Sequence, residues 1–224
     1  MKKTWFITGT DTNIGKTIIS AILLKQAAQL GYKTAGYKPI ATGSINTIDG
    51  LRNYDALLLK KNSNVFLKYN QVNPFFFKES VPPNFLIKKN NNIQFKQLIK
   101  GLNNIKKRAN WIIIEGIGGW KTPLSNEIIL SDWIIQENIP IILVIGIKLG
   151  CINHAILTNI AIQKSGQKIY GWFANCCIEN NTKLLINYIN TIKLYINAPF
   201  LGMIPYIKNL TILLNQKHNI ILPT

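Results

Sequence analysis

The sequence predicts an α/β protein with a doubly wound, mostly parallel β-sheet in one domain that spans residues 1–224. Short apolar runs typical of buried strands alternate along the chain with segments in which apolar residues recur at helical spacing. The longest apolar run, at 139–147, is too short to cross a bilayer and suits a strand buried on both faces. No internal repeat or low-complexity linker divides the chain, so we expect one domain.

The predicted elements alternate between strand and helix. A strand at 4–8 leads into a helix at 16–30 that Gly31 terminates, and a second strand at 34–38 precedes a loop at 40–53. The later elements are a short helix at 55–60, an irregular stretch at 70–92, a helix at 94–108, a strand from Trp111, a helix at 131–138, a strand at 141–145, a helix that begins near Gly150 and stops at Gly166, a strand at 169–175, a helix at 182–196 and a strand at 200–204. In such a sheet, ligands bind outside the carboxyl ends of the strands.

The turn between the first strand and the first helix carries the most specific motif, Gly-Thr-Asp-Thr-Asn-Ile-Gly-Lys-Thr at 9–17. A strand, a loop of small residues ending in Gly-Lys-Thr, and a helix form the context of a phosphate-binding loop. Lys16 can reach the β- and γ-phosphates, and the Thr17 hydroxyl can ligate Mg²⁺. The usual pattern has glycine at the position of Thr10, whereas here it stands one residue earlier, at Gly9. The alternative is an ordinary turn whose lysine is solvated.

The net charge of +17 raises the question of nucleic-acid binding. Nearly all the basic residues are lysines scattered among isoleucine and asparagine, so we expect no nucleic-acid partner. A basic surface can instead accelerate the encounter with anionic substrates. The three cysteines form no C-x-x-C pattern, and the N-terminus lacks the apolar core of a signal peptide. These features predict a cytoplasmic protein without a zinc site or a membrane partner.

Charged residues also fall at the ends of other predicted strands. Glu115 precedes a glycine-rich loop, where a carboxylate must meet a cation such as Mg²⁺ or cap backbone N–H groups. Lys38 either neutralises charge during phosphoryl transfer or is solvated, and Asp55 is either a metal ligand or a helix-start residue. The helix that begins at 150–153 offers N–H groups to an anion or has an ordinary cap. His218, in a polar tail, is expected to be exposed.

Eight short segments, in order and across nearly the whole chain, carry a pattern that is specific only as a set. They lie at 9–17, 35–39, 51–55, 72–74, 115–120, 144–154, 171–175 and 201–205. Together they resemble the dethiobiotin synthetase family, and the early glycine at Gly9 is that family's own form of the loop.

The resemblance implies a P-loop NTPase-like α/β fold, a homodimer, and ATP-dependent cyclo-ligase activity in biotin biosynthesis. The implied substrates are 7,8-diaminononanoate, CO₂ and ATP as co-substrate, with Mg²⁺ as cofactor. One amine takes up CO₂ as a carbamate, whose oxygen attacks the γ-phosphate to give a carbamic–phosphoric anhydride. The second amine then closes the cyclic urea and expels phosphate, so the site mainly positions charge around the reacting groups.

The resemblance also assigns roles by position. The implied catalytic residues are Lys16 and Lys38, and the implied magnesium ligands are Thr17, Asp55 and Glu115. The implied nucleotide contacts are Asn13, Ile14, Gly15, Lys16, Thr17, Ile18, Asp55, Glu115, Gly116, Ile117 and Gly118 near the phosphates, and Asn175, Cys176, Pro205, Tyr206 and Ile207 near the adenine. The implied substrate contacts are Thr42 and Lys148, with Gly150, Cys151, Ile152, Asn153 and Tyr188 receiving the substrate carboxylate from the partner subunit.

Three features depart from the family pattern. Asn13 replaces a common acidic residue, and Cys176 stands where an aspartate is frequent, which bears on the preference for adenine. The tail at 210–224 matches only weakly.

Three other classes compete with this interpretation. Dimerising partition-type ATPases carry an extra signature lysine at the position of Asp11. Cobyrinate-type amide synthetases add a glutaminase domain, for which this chain is too short. A nucleotide-binding regulator would not need Lys38, Glu115 and the helix start at Cys151 together.

Overall fold

The computed structural model describes residues 2–87, 93–179 and 181–223. Its strands are β1 (Lys3–Gly9), β2 (Thr34–Tyr37), β3 (Ile40–Ala41), β4 (Ile45–Thr47), β5 (Gly50–Arg52), β6 (Phe75–Phe76), β7 (Trp111–Glu115), β8 (Ile141–Ile147), β9 (Ile169–Cys176) and β10 (Phe200–Ile204). Its helices are α1 (Lys16–Gln29), α2 (Tyr54–Asn62), α3 (Tyr69–Val72), α4 (Pro83–Leu86), α5 (Phe95–Lys106), α6 (Leu130–Gln136), α7 (Cys151–Lys164), α8 (Thr182–Tyr195) and α9 (Leu210–Asn215).

Six strands form one parallel sheet in the order β10-β9-β8-β1-β7-β2. The chain runs outward from β1 in one direction to β2 and in the other through β8 to β10, which confirms the predicted doubly wound sheet. The register aligns the carboxyl ends: Ile7 pairs with Glu115, Gly9 with Val144, and Ile204 with Asn175. The predicted functional residues that follow these strands therefore share one edge of the sheet.

The core lies in and around the central strands. Every residue of β7 and β8 is buried, as the unbroken apolar runs predict for strands covered on both faces. The largest fully buried side chains include Trp111, Trp133 and Trp172. None of the described helices is long and apolar enough to span a bilayer. The assignment of the whole chain to one domain stays a prediction.

The predicted loop at 40–53 is wrong in detail. It contains β3, which pairs in parallel with β6, and the antiparallel hairpin of β4 and β5. The irregular stretch predicted at 70–92 likewise holds the last turn of α3, then β6 and α4, while 88–92 lie outside the described residues. These elements have two to four residues each, which is too short for a hydrophobic period to appear in the sequence.

The C-terminal tail is also structured. Helix α9 begins after Asn209, whose side chain accepts hydrogen bonds from the backbone N–H groups of Thr211 and Ile212. His218 is only 8% exposed, so the prediction of an exposed histidine is wrong. Its ring Nε2 lies 2.6 Å from the carbonyl oxygen of Leu213, which explains how a polar ring is accommodated there.

Candidate functional site

The loop between β1 and α1 has the backbone of an anion-binding turn. Asn13 has φ 57° and Gly15 has φ 91°, and α1 begins directly afterwards at Lys16. Successive backbone N–H groups in such a turn point toward one concave surface at the helix N-terminus. A Cβ atom on Gly9 would lie 2.7 Å from Ile14 Cδ1 and 3.2 Å from Lys16 Cδ. The early glycine therefore makes room for the side chains of Ile14 and Lys16.

Lys16 lies folded over this loop. Its ammonium donates to the carbonyl oxygen of Asp11 at 2.7 Å, and the residue is 7% exposed. Burial, together with the positive charge of Lys38, lowers the pKa of Lys16 to about 8. The free protein thus holds a lysine whose charge a bound polyphosphate would stabilise.

A charged cluster joins the ends of β2 and β7 to the start of α1. Lys38 Nζ lies 2.6 Å from Glu115 Oε1 and 3.4 Å from Asp55 Oδ2, and it donates to the carbonyl oxygen of Gly116 at 2.8 Å. The Thr17 hydroxyl donates to the same Glu115 Oε1 at 2.9 Å. The structure therefore brings Thr17, Lys38, Asp55 and Glu115 together, and their functional roles stay predictions.

Burial and the opposite charges act against each other on the pKa values of Lys38 and Glu115. Burial lowers the pKa of Lys38, but the charges of Glu115 and Asp55 outweigh it and raise that pKa above its ordinary value. Burial raises the pKa of Glu115, and the adjacent ammonium opposes that shift. Lys38 therefore stays protonated at neutral pH and presents a fixed positive charge.

The oxygen atoms of the cluster fit a magnesium ion. Glu115 Oε2 is buried and has no hydrogen-bond partner among the described residues, which makes it a candidate ligand for a cation. Asp55 adds a carboxylate that is 39% exposed, and Thr17 adds a hydroxyl. Mg²⁺ commonly takes one or two carboxylates and keeps several waters, which the two carboxylates and the hydroxyl of this cluster fit.

A cavity of about 180 Å³ opens beside these groups. Its lining is Thr12, Asn13, Ile14, Gly15, Lys16, Thr17, Lys38, Ala41, Thr42, Asn53, Asp55, Ser80, Ile117 and Gly118. Glu115 and Gly116 lie directly behind it, in contact with Lys38. The cavity thus gathers most of the predicted phosphate contacts together with the predicted substrate residue Thr42. Ile18 follows Thr17 in the first turn of α1 but does not line it.

A polar network that the sequence analysis missed supports the cavity wall. The Asn53 side chain donates to the carbonyl oxygen of Thr42 at 3.1 Å and caps α2. Asn73 donates to the carbonyl oxygen of Lys38 at 2.6 Å, and the Tyr69 hydroxyl links Asn73 to the backbone of Asn53. Asn53 and Asn73 lie in segments that resemble the family, which is the only signal in the sequence that could have drawn attention to them.

Asp11 is another residue of the site whose role the sequence did not reveal. Its carboxylate lies 2.9 Å from Lys148 Nζ, and its carbonyl oxygen accepts from Lys16. The hydrogen bond from Lys148 lowers the pKa of Asp11, so the pair is ionised at neutral pH. Asp11 therefore connects both lysines to the loop, at the position where partition-type ATPases would carry a lysine.

The predicted adenine contacts form a separate group on the other side of the loop. Asn175 donates to the carbonyl oxygen of Ile14 at 3.0 Å, and Ile204, which pairs with it, leads into Pro205, Tyr206 and Ile207. Cys176 is 4% exposed, and burial raises the pKa of its thiol to about 11. The thiol is therefore neutral and offers little to a polar ligand.

The predicted carboxylate contacts lie outside the cavity. Gly150 precedes α7, Cys151 is buried, and Asn153 is exposed at the surface. Tyr188 is partly buried on α8, which packs against α7. The structure of one chain therefore does not bring Gly150, Cys151, Ile152, Asn153 and Tyr188 to the phosphate loop.

Comparison with solved structures defines the class of protein. The fold is similar to that of the MinC:MinD cell division protein complex of Aquifex aeolicus, with a TM-score of 0.58, 17% identity, and coverage of 97% of this chain and 87% of that chain. It is also similar to a ParA family ATPase from Chlorobium tepidum TLS, with a TM-score of 0.56, 12% identity, and coverage of 96% and 89%. Likeness at this identity shows the fold alone, and the chain has the P-loop NTPase fold.

Sequence comparison defines the family. The family described as an AAA domain matches residues 3–212. The chain is 51% identical to the ATP-dependent dethiobiotin synthetase BioD of Buchnera aphidicola subsp. Acyrthosiphon pisum (strain APS), over 93% of each protein. It is 52% identical to the protein of that name from Buchnera aphidicola subsp. Baizongia pistaciae (strain Bp), over 98% of this chain and 96% of the relative. The chain belongs to the dethiobiotin synthetase family.

The pKa of Lys16 gives a testable pH dependence for nucleotide binding. A bound triphosphate raises this pKa again, so binding above about pH 8 requires the uptake of a proton. We expect the affinity for ATP to be constant up to about pH 8 and to fall by as much as about tenfold per pH unit above it. Calorimetric titration with MgATP at several pH values measures this, and Lys16→Met should bind more weakly without the loss above pH 8. An affinity that does not change across this range would contradict the assigned pKa.

Proposed function

We propose that this chain is an ATP-dependent dethiobiotin synthetase that closes the ureido ring of dethiobiotin on 7,8-diaminononanoate with CO₂. The observation that carries the proposal is one cavity lined by Lys16, Thr17 and Lys38, with Glu115 bound to Thr17 and Lys38 behind it, in a chain that belongs to this family. ATP is the co-substrate that the name of the relatives specifies. The loop at 9–17 is the element that would receive its phosphates.

Lys16 and Lys38 would stabilise negative charge at different places. Lys16 extends from the N-terminus of α1 and would contact the β- and γ-phosphates. Lys38 is held by Glu115 and by the Gly116 carbonyl, so it would meet charge that develops between the carbamate and the phosphoryl group without having to reorganise. A fixed cation of this kind stabilises a transition state more than a mobile, solvated lysine does.

We assign the magnesium site to Thr17, Asp55 and Glu115. The assignment is supported by Glu115 Oε2, which has no hydrogen-bond partner among the described residues, and by the nearby Thr17 hydroxyl and Asp55 carboxylate, whose oxygens can bind a metal ion. Mg²⁺ bound there would neutralise part of the negative charge on the β- and γ-phosphates.

The cavity wall would hold the carbamate and the diamine. Thr42 lines the cavity, and its backbone carbonyl accepts a hydrogen bond from Asn53. Lys148 is kept near the loop by Asp11 and carries the charge needed for an anionic substrate group. These contacts would place the carbamate oxygen in line with the γ-phosphate, which is most of what the reaction requires of the protein.

The substrate carboxylate would be bound by a second copy of this chain. Asn153 is exposed and lies outside the cavity, and Leu149, two residues before α7, is 88% exposed. Leu157 and Ile160 continue an apolar surface along α7. A homodimer that buries this surface would bring the start of α7 of one protomer to the cavity of its partner.

The function is tested by incubating the purified protein with MgATP, bicarbonate and 7,8-diaminononanoate. Mass spectrometry should show the diamine with one added carbonyl, together with ADP, only when every component is present. ATP hydrolysis at a rate that does not depend on the diamine would instead favour a regulatory ATPase or an enzyme that acts on another substrate.

Replacement of Lys38 tests its role in the chemistry. Lys38→Met removes the charge but keeps most of the volume, so turnover should fall by about a thousandfold while ATP still binds within about threefold of the parent affinity. Steady-state rates and calorimetry measure the two quantities. Lys100→Met, which alters an exposed lysine of α5, is the matched control and should leave both unchanged. Full turnover in Lys38→Met would remove this lysine from the reaction.

Mixed dimers test the shared site. Asn153→Ala should raise the KM for the diamine and leave the KM for ATP unchanged, because the exposed amide would contact only the carboxylate. In a mixture of Lys38→Met and Asn153→Ala chains, one of the two sites in each mixed dimer is intact. Activity with the parent KM for the diamine should therefore reappear after mixing. A mixture that shows only the sum of the two separate activities would mean that each site is built from one chain.

A further inference from the structure

Residues 210–223, which we call the tail strap, cross the surface of α1 and end beside β10. On the side of α1, Lys25 Nζ donates to the carbonyl oxygen of Leu214 at 3.0 Å and to Asn215 Oδ1 at 3.1 Å. The amide of Gln26 donates to the carbonyl oxygen of His218 at 3.2 Å. Two consecutive side chains of α1 therefore hold three points of the strap.

The far end of the strap is bound to β10. The backbone N–H of Ile221 donates to the carbonyl oxygen of Leu201 at 2.7 Å, and Ile220 forms an antiparallel bridge with Gly202. Gly202 has φ +143°, and a Cβ atom there would lie 2.7 Å from Ile220 Cγ2. The glycine is thus suited to the close approach of the strap, which covers the open edge of the sheet.

Between these contacts lies the segment 205–207, the predicted adenine contact. It follows β10, which pairs with the strap at Leu201 and Gly202, and it precedes α9, the first part of the strap, which Lys25 binds to α1. Pro205 and Tyr206 are exposed, and within the segment Ile207 packs against the core. The position of Pro205 and Tyr206 therefore depends in part on how the two ends of the segment are held.

The same helix carries the phosphate-binding residues. Lys16 begins α1, and Lys25 and Gln26 stand near its other end. A rigid helix that holds the phosphate loop at one end and the strap at the other fixes the distance between the phosphate and adenine halves of the site.

We propose that Lys25 and Gln26 are positioning residues for the nucleotide base, acting through the tail strap on residues 205–207. The inference rests on the proposed function in one respect, namely that 205–207 contact the base of a bound nucleotide. Neither side chain touches the cavity that holds the phosphates. Their loss should weaken recognition of the base and leave recognition of the phosphates intact.

Lys25→Met is the variant that tests the proposal, with inorganic tripolyphosphate as a probe that has phosphates but no base. The affinity for ATP should fall by about tenfold, the scale set by losing a charge-assisted hydrogen bond that orders a segment. The affinity for tripolyphosphate should stay at the parent value, as should kcat and the KM for the diamine. Lys25→Arg, which keeps the donor, should restore the affinity for ATP.

Gln26→Leu supplies a second, independent variant, with the same direction expected and a smaller effect. Lys100→Met, on the exposed surface of α5, is the matched control and should change neither affinity. Equal weakening of ATP and tripolyphosphate would place the effect at the phosphate loop and overturn the proposal. Unchanged affinity for both ligands, with only a lower stability, would assign Lys25 a purely structural role and also overturn it.

Binding of ATP and tripolyphosphate is measured by calorimetry without the diamine. A failure of the positioning proposal is therefore distinguishable from a failure of the proposed function, which would appear as absent ring closure in the parent protein while its ATP binding persists.

Discussion

The site depends on one buried ion pair, between Lys38 at the end of β2 and Glu115 at the end of β7. A buried charge is tolerated only when it is paired and hydrogen-bonded, and here the two charges satisfy one another across adjacent strands. The pair also involves Thr17 through the same carboxylate oxygen, which ties the start of α1 to the sheet. The contacts that connect the two strands and α1 at this edge thus also place Lys38 and Thr17 at the cavity, with the carboxylate of Glu115 directly behind them.

The proposed nucleotide site has two separate parts: a phosphate half at the loop 9–17 and a base half at 175–176 and 205–207. The phosphate half is surrounded by buried groups, and Asn53, Tyr69 and Asn73 hold its wall through a continuous hydrogen-bond network. In the proposed base half, Asn175 and Cys176 are buried, whereas Pro205 and Tyr206 are exposed on a segment that lies between β10 and the strap. In this proposal, the phosphates of a nucleotide bind a subsite fixed by hydrogen bonds around it. The base binds a subsite whose position depends on the contacts of the strap with α1 and β10.

The sequence predicts the buried strands and the approach of Lys38 and Glu115 to the phosphate loop, because general rules of parallel sheets govern both. Unbroken apolar runs identify β7 and β8, and the position of ligands at the carboxyl ends of parallel strands predicts that Lys38 and Glu115 approach the loop. The hairpin of β4 and β5, the roles of Asp11 and Asn73, and the burial of His218 escape prediction. They depend on side-chain contacts between segments far apart in the chain, which leave no period or spacing in the sequence.

The proposed reaction is tested most directly by following oxygen from ¹⁸O-labelled CO₂ during a single turnover with MgATP and 7,8-diaminononanoate. A carbamate whose oxygen attacks the γ-phosphate transfers that oxygen to phosphorus when the ring closes. We predict that the released inorganic phosphate carries one ¹⁸O atom derived from CO₂, visible as an isotope shift in the ³¹P spectrum. Phosphate without that label, released alongside a labelled urea product, would contradict attack by a carbamate at this site.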